Sequence, residues 1–128
     1  SSLDLAKIRP LDKATWAGAV DNLGGDVLSW MASTMQIGAP IAAIGLAASF
    51  QFNTTVMPFI LRGVTVCGID SVNCEMVPRR QVWQRLATDM KPKHLAAMTR
   101  TIGFAELPDA FDAFVKGQVK GRTVVKVG

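Results

Sequence analysis

The sequence predicts an α/β protein with a mostly parallel sheet and flanking helices. Three observations carry this. Strand-like apolar runs alternate with helix-like segments along the chain. Residues 41–46 form an apolar run without alternation, as a parallel strand covered on both faces requires. Two strand-like runs end at an acid, Asp21 and Asp70, and each acid is followed by turn-forming residues.

In order, residues 16–20 are a short apolar run, and Gly24-Gly25 is a turn. Asp26 is placed to cap a helix over 27–36, with Val27, Met31 and Met35 on one stripe and Gly38 as the stop. Pro40 opens the strand at 41–46. Asn53-Thr54-Thr55 caps a short helix toward Leu61, with Pro58 in its first turn and Gly63 ending it. Residues 64–69 are a β-branched strand. Pro78 starts a helix over 79–90, whose core face is Val82, Leu86 and Met90, with Trp83 and Ala87 beside them. A short helix at 93–98 and a strand at 101–104 follow. Pro108 then starts a helix with an apolar core face of Phe111, Phe114 and Val115, and Gly117 stops it. Residues 123–127 close the chain as a strand.

Composition narrows the function. At 128 residues the chain suits one domain or part of one, and with 49% hydrophobic and 19% charged residues it is not disordered. Two cysteines and one histidine are too few for a disulfide scaffold or a four-ligand zinc site. The uncharged stretch 27–61 is broken by Gly38, Pro40 and Gly45, and it lacks the roughly 20 continuous apolar residues of a membrane span. With no secretory leader visible either, a cytoplasmic protein is expected. Residues 62–100 hold seven Lys/Arg against three acids. Such a face could attract nucleic acid, phosphate-bearing metabolites or coenzyme A, but a solvated helix face is the better account of it.

Motif searches mostly exclude. No G-x-G-x-x-G spacing occurs. Gly121-Arg122-Thr123 lacks the leading glycine of a P-loop, because Lys116 stands there. His94 lies in a basic stretch without a nucleophile, and Cys67 reads as a buried inert thiol in an apolar strand. The three tryptophans sit on different elements and make no base-stacking platform. In open parallel sheets ligands bind beyond the carboxyl ends of the strands. The junctions at Asp21-Asn22, Leu46-Ala47 and Asp70-Ser71-Val72 are therefore the places to watch. There each acid either caps its own turn or meets a ligand.

Five segments carry a family resemblance: W-A-G-A-V-D-N-L-G-G (16–25), A-A-I-G-L-A (42–47), T-T-V-M-P-F-I-L-R-G-V-T-V-C-G-I-D-S-V (54–72), W-Q-R-L-A-T-D (83–89) and G-R-T-V-V-K-V (121–127). Together they resemble the medium-chain dehydrogenase/reductase superfamily, and within it the acrylyl-CoA reductase branch, also called YhdH/YhfP quinone oxidoreductases. The resemblance implies a Rossmann-like fold in which residues 1–128 are the C-terminal part of an NADPH-binding domain. Residues from about 101 to 128 would be a tail returning to a catalytic domain upstream. A start downstream of the glycine-rich phosphate turn accounts for the missing fingerprint.

The resemblance also implies a zinc-independent reductase of activated carbon–carbon double bonds, acting on acrylyl-CoA-like or quinone-like substrates. It places Leu46, Ile60 and Ser71 on the nicotinamide side of NADPH, and Gly117 close to the cofactor through its backbone. Apolar Leu46 and Ile60 suit a dry wall for hydride transfer, and the Ser71 hydroxyl suits the carboxamide or a ribose. No residue of this chain is expected to supply the proton donor, so the isolated chain is expected to be inactive. A homodimer is expected too. The alternative is a non-catalytic module that dimerises through the edge strand at 64–69.

Overall fold

The computed structural model describes Leu5 and residues 7–128. Their order is β1 (Ala19–Asp21), α1 (Gly25–Thr34), β2 (Pro40–Ala43), α2 (Met57–Arg62), β3 (Thr65–Gly68), α3 (Met76–Ala87), β4 (Thr99–Gly103), a 3-10 turn (Phe104–Glu106), α4 (Leu107–Val115) and β5 (Arg122–Lys126). They divide into two compact units, one ending at Cys74 and the other Glu75–Gly128.

The first unit is a three-stranded parallel sheet in the order β1-β2-β3. Its register aligns Ala19, Ile41 and Val66 in one row and Val20, Ala42 and Cys67 in the next. Successive side chains point to opposite faces, so these rows face opposite ways. The first row packs under α1: Leu28, Ala32 and Met35 are buried with Ala39, Ile41 and Val64, and Ala19, Met31, Phe59 and Val66 close the edges. Each fully buried aliphatic side chain contributes about 1.5–3 kcal/mol of transfer free energy. In the second row Val20 and Cys67 are exposed.

Several expectations need correction here. The buried stripe of α1 is Leu28, Ala32 and Met35, with Val27 and Met31 at its edge. Asp26 does not cap α1: the cap is Gly24, whose φ of 67° and ψ of −158° suit only glycine. Asp26 stands in the first turn instead, where a carboxylate favours the helix dipole. Cys67 is exposed, because α1 covers only the opposite face of the sheet. β2 stops at Ala43, since the apolar run continues as a loop from Ile44 onward. The short helix forms, but its N-cap is Val56, which makes no side-chain cap bond, rather than residues 53–55. Thr55 accepts the Met57 amide through its hydroxyl at 3.3 Å, and Gly63 takes the left-handed C-cap at φ 60°.

In the second unit β4 and β5 form a separate two-stranded parallel sheet, so the strands do not share one sheet. Ile102 is its buried apolar residue. Residues 93–98 form turns rather than a helix. α3 starts at Met76, ahead of Pro78, which still lies among the first residues whose amides need no intrahelical acceptor. The expected core faces, Val82, Leu86 and Met90 and then Phe111, Phe114 and Val115, are exposed. Periodicity marks an apolar side of a helix without showing that a partner covers it. Gly117 ends α4 at φ 65°, and Gly121 is required, because a Cβ there would lie 2.3 Å from the Met98 carbonyl oxygen.

Candidate functional site at the strand carboxyl ends

The carboxyl rim of the three-stranded sheet is built by main-chain pairing. The Ile44 amide donates to the Asp21 carbonyl at 2.9 Å, and the Ile69 amide donates to the Ala43 carbonyl at 2.9 Å. All three strands therefore end at the same level. Leu46 lies two residues beyond Ile44, and Ser71 lies two residues beyond Ile69. The structure thus brings Leu46 and Ser71 to one rim, and both are exposed, Leu46 at 66%.

Ile60 lies on a helix rather than at a strand end. It sits on α2 half a turn before Arg62, which is tied to the carboxyl end of α1 and so to the amino rim of the sheet. The Arg62 guanidinium donates to the Ser33 carbonyl at 2.8 Å, to the Met35 carbonyl at 3.1 Å and to the Asp12 carbonyl. The Gly38 amide donates in turn to the Arg62 carbonyl at 2.7 Å. Ile60 is 73% exposed. Gly117 belongs to the second unit. Its amide is used within the helix cap, donating to the Phe114 carbonyl at 3.0 Å, so its carbonyl is the group left to meet a ligand.

Both strand-end acids hold their own turns. Asp21 is fully buried, and its carboxylate accepts the Leu23 amide at 3.2 Å and the Gly24 amide at 3.0 Å. Asp70 accepts the amides of Val72 and Asn73 at 3.1 and 3.0 Å and the Asn73 side-chain amide at 2.6 Å. The Asn73 backbone amide above all, then its side chain, holds the Asp70 carboxyl below its ordinary value.

The loop bearing Leu46 then closes against the β1 turn. Ala47 donates to the Asn22 carbonyl at 3.1 Å, and Ala48 and Ser49 donate to the Leu23 carbonyl at 2.9 and 3.1 Å. A Cβ on Gly45 would stand 2.6 Å from the Asn22 carbonyl oxygen, and one on Gly24 would stand 2.1 Å from that of Ser49. Sequence reasoning flagged Asp21 but not this loop-to-loop seam. Its one sequence signal was the glycine inside A-A-I-G-L-A.

Two further placements differ from expectation or add to it. Trp16 and Trp30 meet edge-to-face with ring centroids 6.5 Å apart, a packing contact between segments that the sequence left separate. Among the described residues no three His, Cys, Asp or Glu side chains gather as metal ligands would, and no helix is long and apolar enough to cross a membrane.

Parallel strands joined by helical crossovers, with loops converging at the carboxyl ends, define the α/β class that binds ligands along that rim. Comparison with known proteins narrows the class. No family model matches the chain. It is 44% identical over 119 residues to the acrylyl-CoA reductase AcuI of Ruegeria pomeroyi, covering 93% of this chain and 36% of that protein. It is 40% identical over 121 residues to the putative quinone oxidoreductase YhfP of Bacillus subtilis, covering 94% and 37%. The crystal structure of Escherichia coli K-12 YhdH with bound NADPH superposes with a TM-score of 0.82 at 43% identity, over 97% of this chain and 38% of that one. Over the part it spans, the chain is similar in sequence and fold to these acrylyl-CoA reductase and YhdH/YhfP proteins. It spans under two fifths of the length of these relatives.

Proposed function

We propose that this chain is the C-terminal part of the NADPH-binding domain of an oxidoreductase that reduces an activated carbon–carbon double bond. The substrate class is an acrylyl-CoA-like ester or a quinone. The observation that carries the reading is the TM-score of 0.82 over 97% of the chain with a structure that holds NADPH. Residues from about 101 to 128 then serve as the tail toward a catalytic domain.

NADPH, when bound, supplies the hydride. The chain's own contribution is a wall and a polar contact. The rim residues fit a nicotinamide: Leu46 offers an exposed apolar side chain at the end of β2, and Ser71 offers a hydroxyl at the end of the neighbouring β3. The Asp70 carboxylate is turned onto its own loop amides, and the Ser71 hydroxyl has the chemistry to meet a carboxamide or ribose hydroxyl. A dry wall beside the ring keeps water from competing for hydride. In this reading Gly117 contributes its carbonyl. The weight falls on Leu46 and Ser71, with Ile60 on α2 as a further apolar position to test.

We read the reaction as zinc-independent, in keeping with a donor set of one histidine and two cysteines. The same reading places the protein in the cytoplasm. It also makes the complete protein a homodimer, for which β3, as an edge of the sheet order β1-β2-β3, offers main-chain groups for pairing. The isolated chain is inactive in this reading.

The test is an assay of the complete protein with acrylyl-CoA and with a quinone, following loss of the reduced nicotinamide. NADPH consumption coupled to saturation of the double bond or reduction of the quinone is expected with one of them. Consumption with neither, alongside a folded protein, contradicts the proposal. The isolated chain is further expected to bind NADPH weakly or not at all, and tight binding in a calorimetric titration contradicts that.

A further inference from the structure

We infer that Asp21 is a positioning residue for the cofactor rim, acting through main chain rather than by touching a ligand; this rests on the reading of Leu46 given above. Asp21 is a fully buried carboxylate that the proposed chemistry does not use. Burying a carboxylate is costly unless it is hydrogen-bonded, and here it accepts the amides of Leu23 and Gly24. Those bonds fix the turn after β1. The turn's three carbonyls, from Asp21, Asn22 and Leu23, accept four amides of the loop that carries Leu46: Ile44, Ala47, Ala48 and Ser49. The seam has no slack, because neither Gly45 nor Gly24 has room for a Cβ. The Cβ built on Gly24 also lies 3.6 Å from Leu46 Cα, so the turn abuts the very residue that the reading places on the nicotinamide. A shift of the Asp21 turn is therefore passed directly to Leu46.

The experiment uses the complete protein with Asp21→Asn and Gly45→Ala. Asn keeps one acceptor but turns a donor toward an amide, and the added methyl of Ala pushes on Asn22 from the other side of the seam. Two readouts are taken: the KM for NADPH against kcat, and amide hydrogen exchange of Ala47, Ala48 and Ser49. Both variants are expected to raise KM roughly tenfold, with kcat within about twofold, and to speed exchange at those three amides. If wild type binds NADPH and both variants leave KM and exchange unchanged, the inference is overturned. If wild type does not bind NADPH but exchange still speeds in the variants, the positioning stands and the cofactor reading fails. Should Asp21→Asn not fold, Gly45→Ala decides alone.

Discussion

Arg62 and Ser33, distant in sequence, meet where the guanidinium donates to the Ser33 carbonyl at 2.8 Å. Ser33 lies in the last turn of α1, where carbonyls lack intrahelical partners and the helix dipole is negative. A cation there is doubly favourable. The same group also holds the Met35 and Asp12 carbonyls, so one half-buried side chain fastens α2, the end of α1 and the segment before β1.

Replacing Arg62 therefore has a defined cost. Arg62→Met removes the side-chain donor from all three carbonyls, leaving Ser33 only the Asp12 amide, and should destabilise by roughly 2–4 kcal/mol, while Arg62→Lys, with no planar fork, should recover only part of it. Denaturant unfolding of the complete protein measures both. A cost below about 0.5 kcal/mol for Arg62→Met would mean the bonds are not held in solution.

Two glycines that share a positive φ should respond differently to alanine. Gly117 has φ 65° and open space around a Cβ, so Gly117→Ala should cost about 1–2 kcal/mol from the left-handed backbone alone. Gly121 has φ 80° and the Met98 carbonyl oxygen 2.3 Å from its Cβ position. Gly121→Ala adds about 1–3 kcal/mol of overpacking and should loosen the β4–β5 pairing. Thermal melts of both variants rank them, and equal melting temperatures would refute the close approach.

Core and rim should separate in a paired test. Ile41 is fully buried beneath α1, so Ile41→Ala should cost about 2–5 kcal/mol. Leu46 is largely exposed, so Leu46→Ala should change stability by no more than about 0.5 kcal/mol. In the proposed reading it weakens NADPH binding all the same. A Leu46 variant with unchanged affinity would leave the residue without a role at the rim.

Acid should destabilise the turn after β3. The folded-state value of the Asp70 carboxyl lies below its ordinary 3.8, chiefly because the Asn73 backbone amide favours the ionised form. A group depressed in the folded state binds fewer protons there than when unfolded. Its stabilisation is thus complete above 3.8 and disappears as pH falls through the lowered folded value. Asp12, through Arg9, and Asp89, through Arg85, shift the same way. Melting temperature should therefore fall on acidification below 3.8, and Asp70→Asn should lessen that fall. An unchanged acid slope in the variant contradicts the turn's hydrogen bonding.

The sequence made the architecture readable where local chemistry is self-contained. Pro58 and Gly63 bracket α2, and the unalternating run through Ile41 identified a parallel strand. Apolarity continues past Ala43 and so predicts a longer strand than forms, whereas the chain leaves the ladder there to meet the β1 turn at Gly45. Asp26 looked like a cap because its chemistry suits one. The local pattern could not show that Gly24 takes a backbone only glycine adopts while Asp21 holds the amides before it. The exposed faces of Phe111 and Leu86 mark the wider limit, since a helical period records a face and not its partner. For the rim, the strand ends direct attention to Leu46 and Ser71, which follow β2 and β3. Ile60 comes from family resemblance alone, since local pattern gives it only a place on α2 before the Arg62 anchor.

A crystal structure of the complete protein with NADPH tests the account most directly. It should show the Leu46 side chain in van der Waals contact with the nicotinamide ring and the Ser71 hydroxyl within hydrogen-bond reach of its carboxamide or ribose. A nicotinamide bound away from the ends of β2 and β3, touching neither residue, would contradict it.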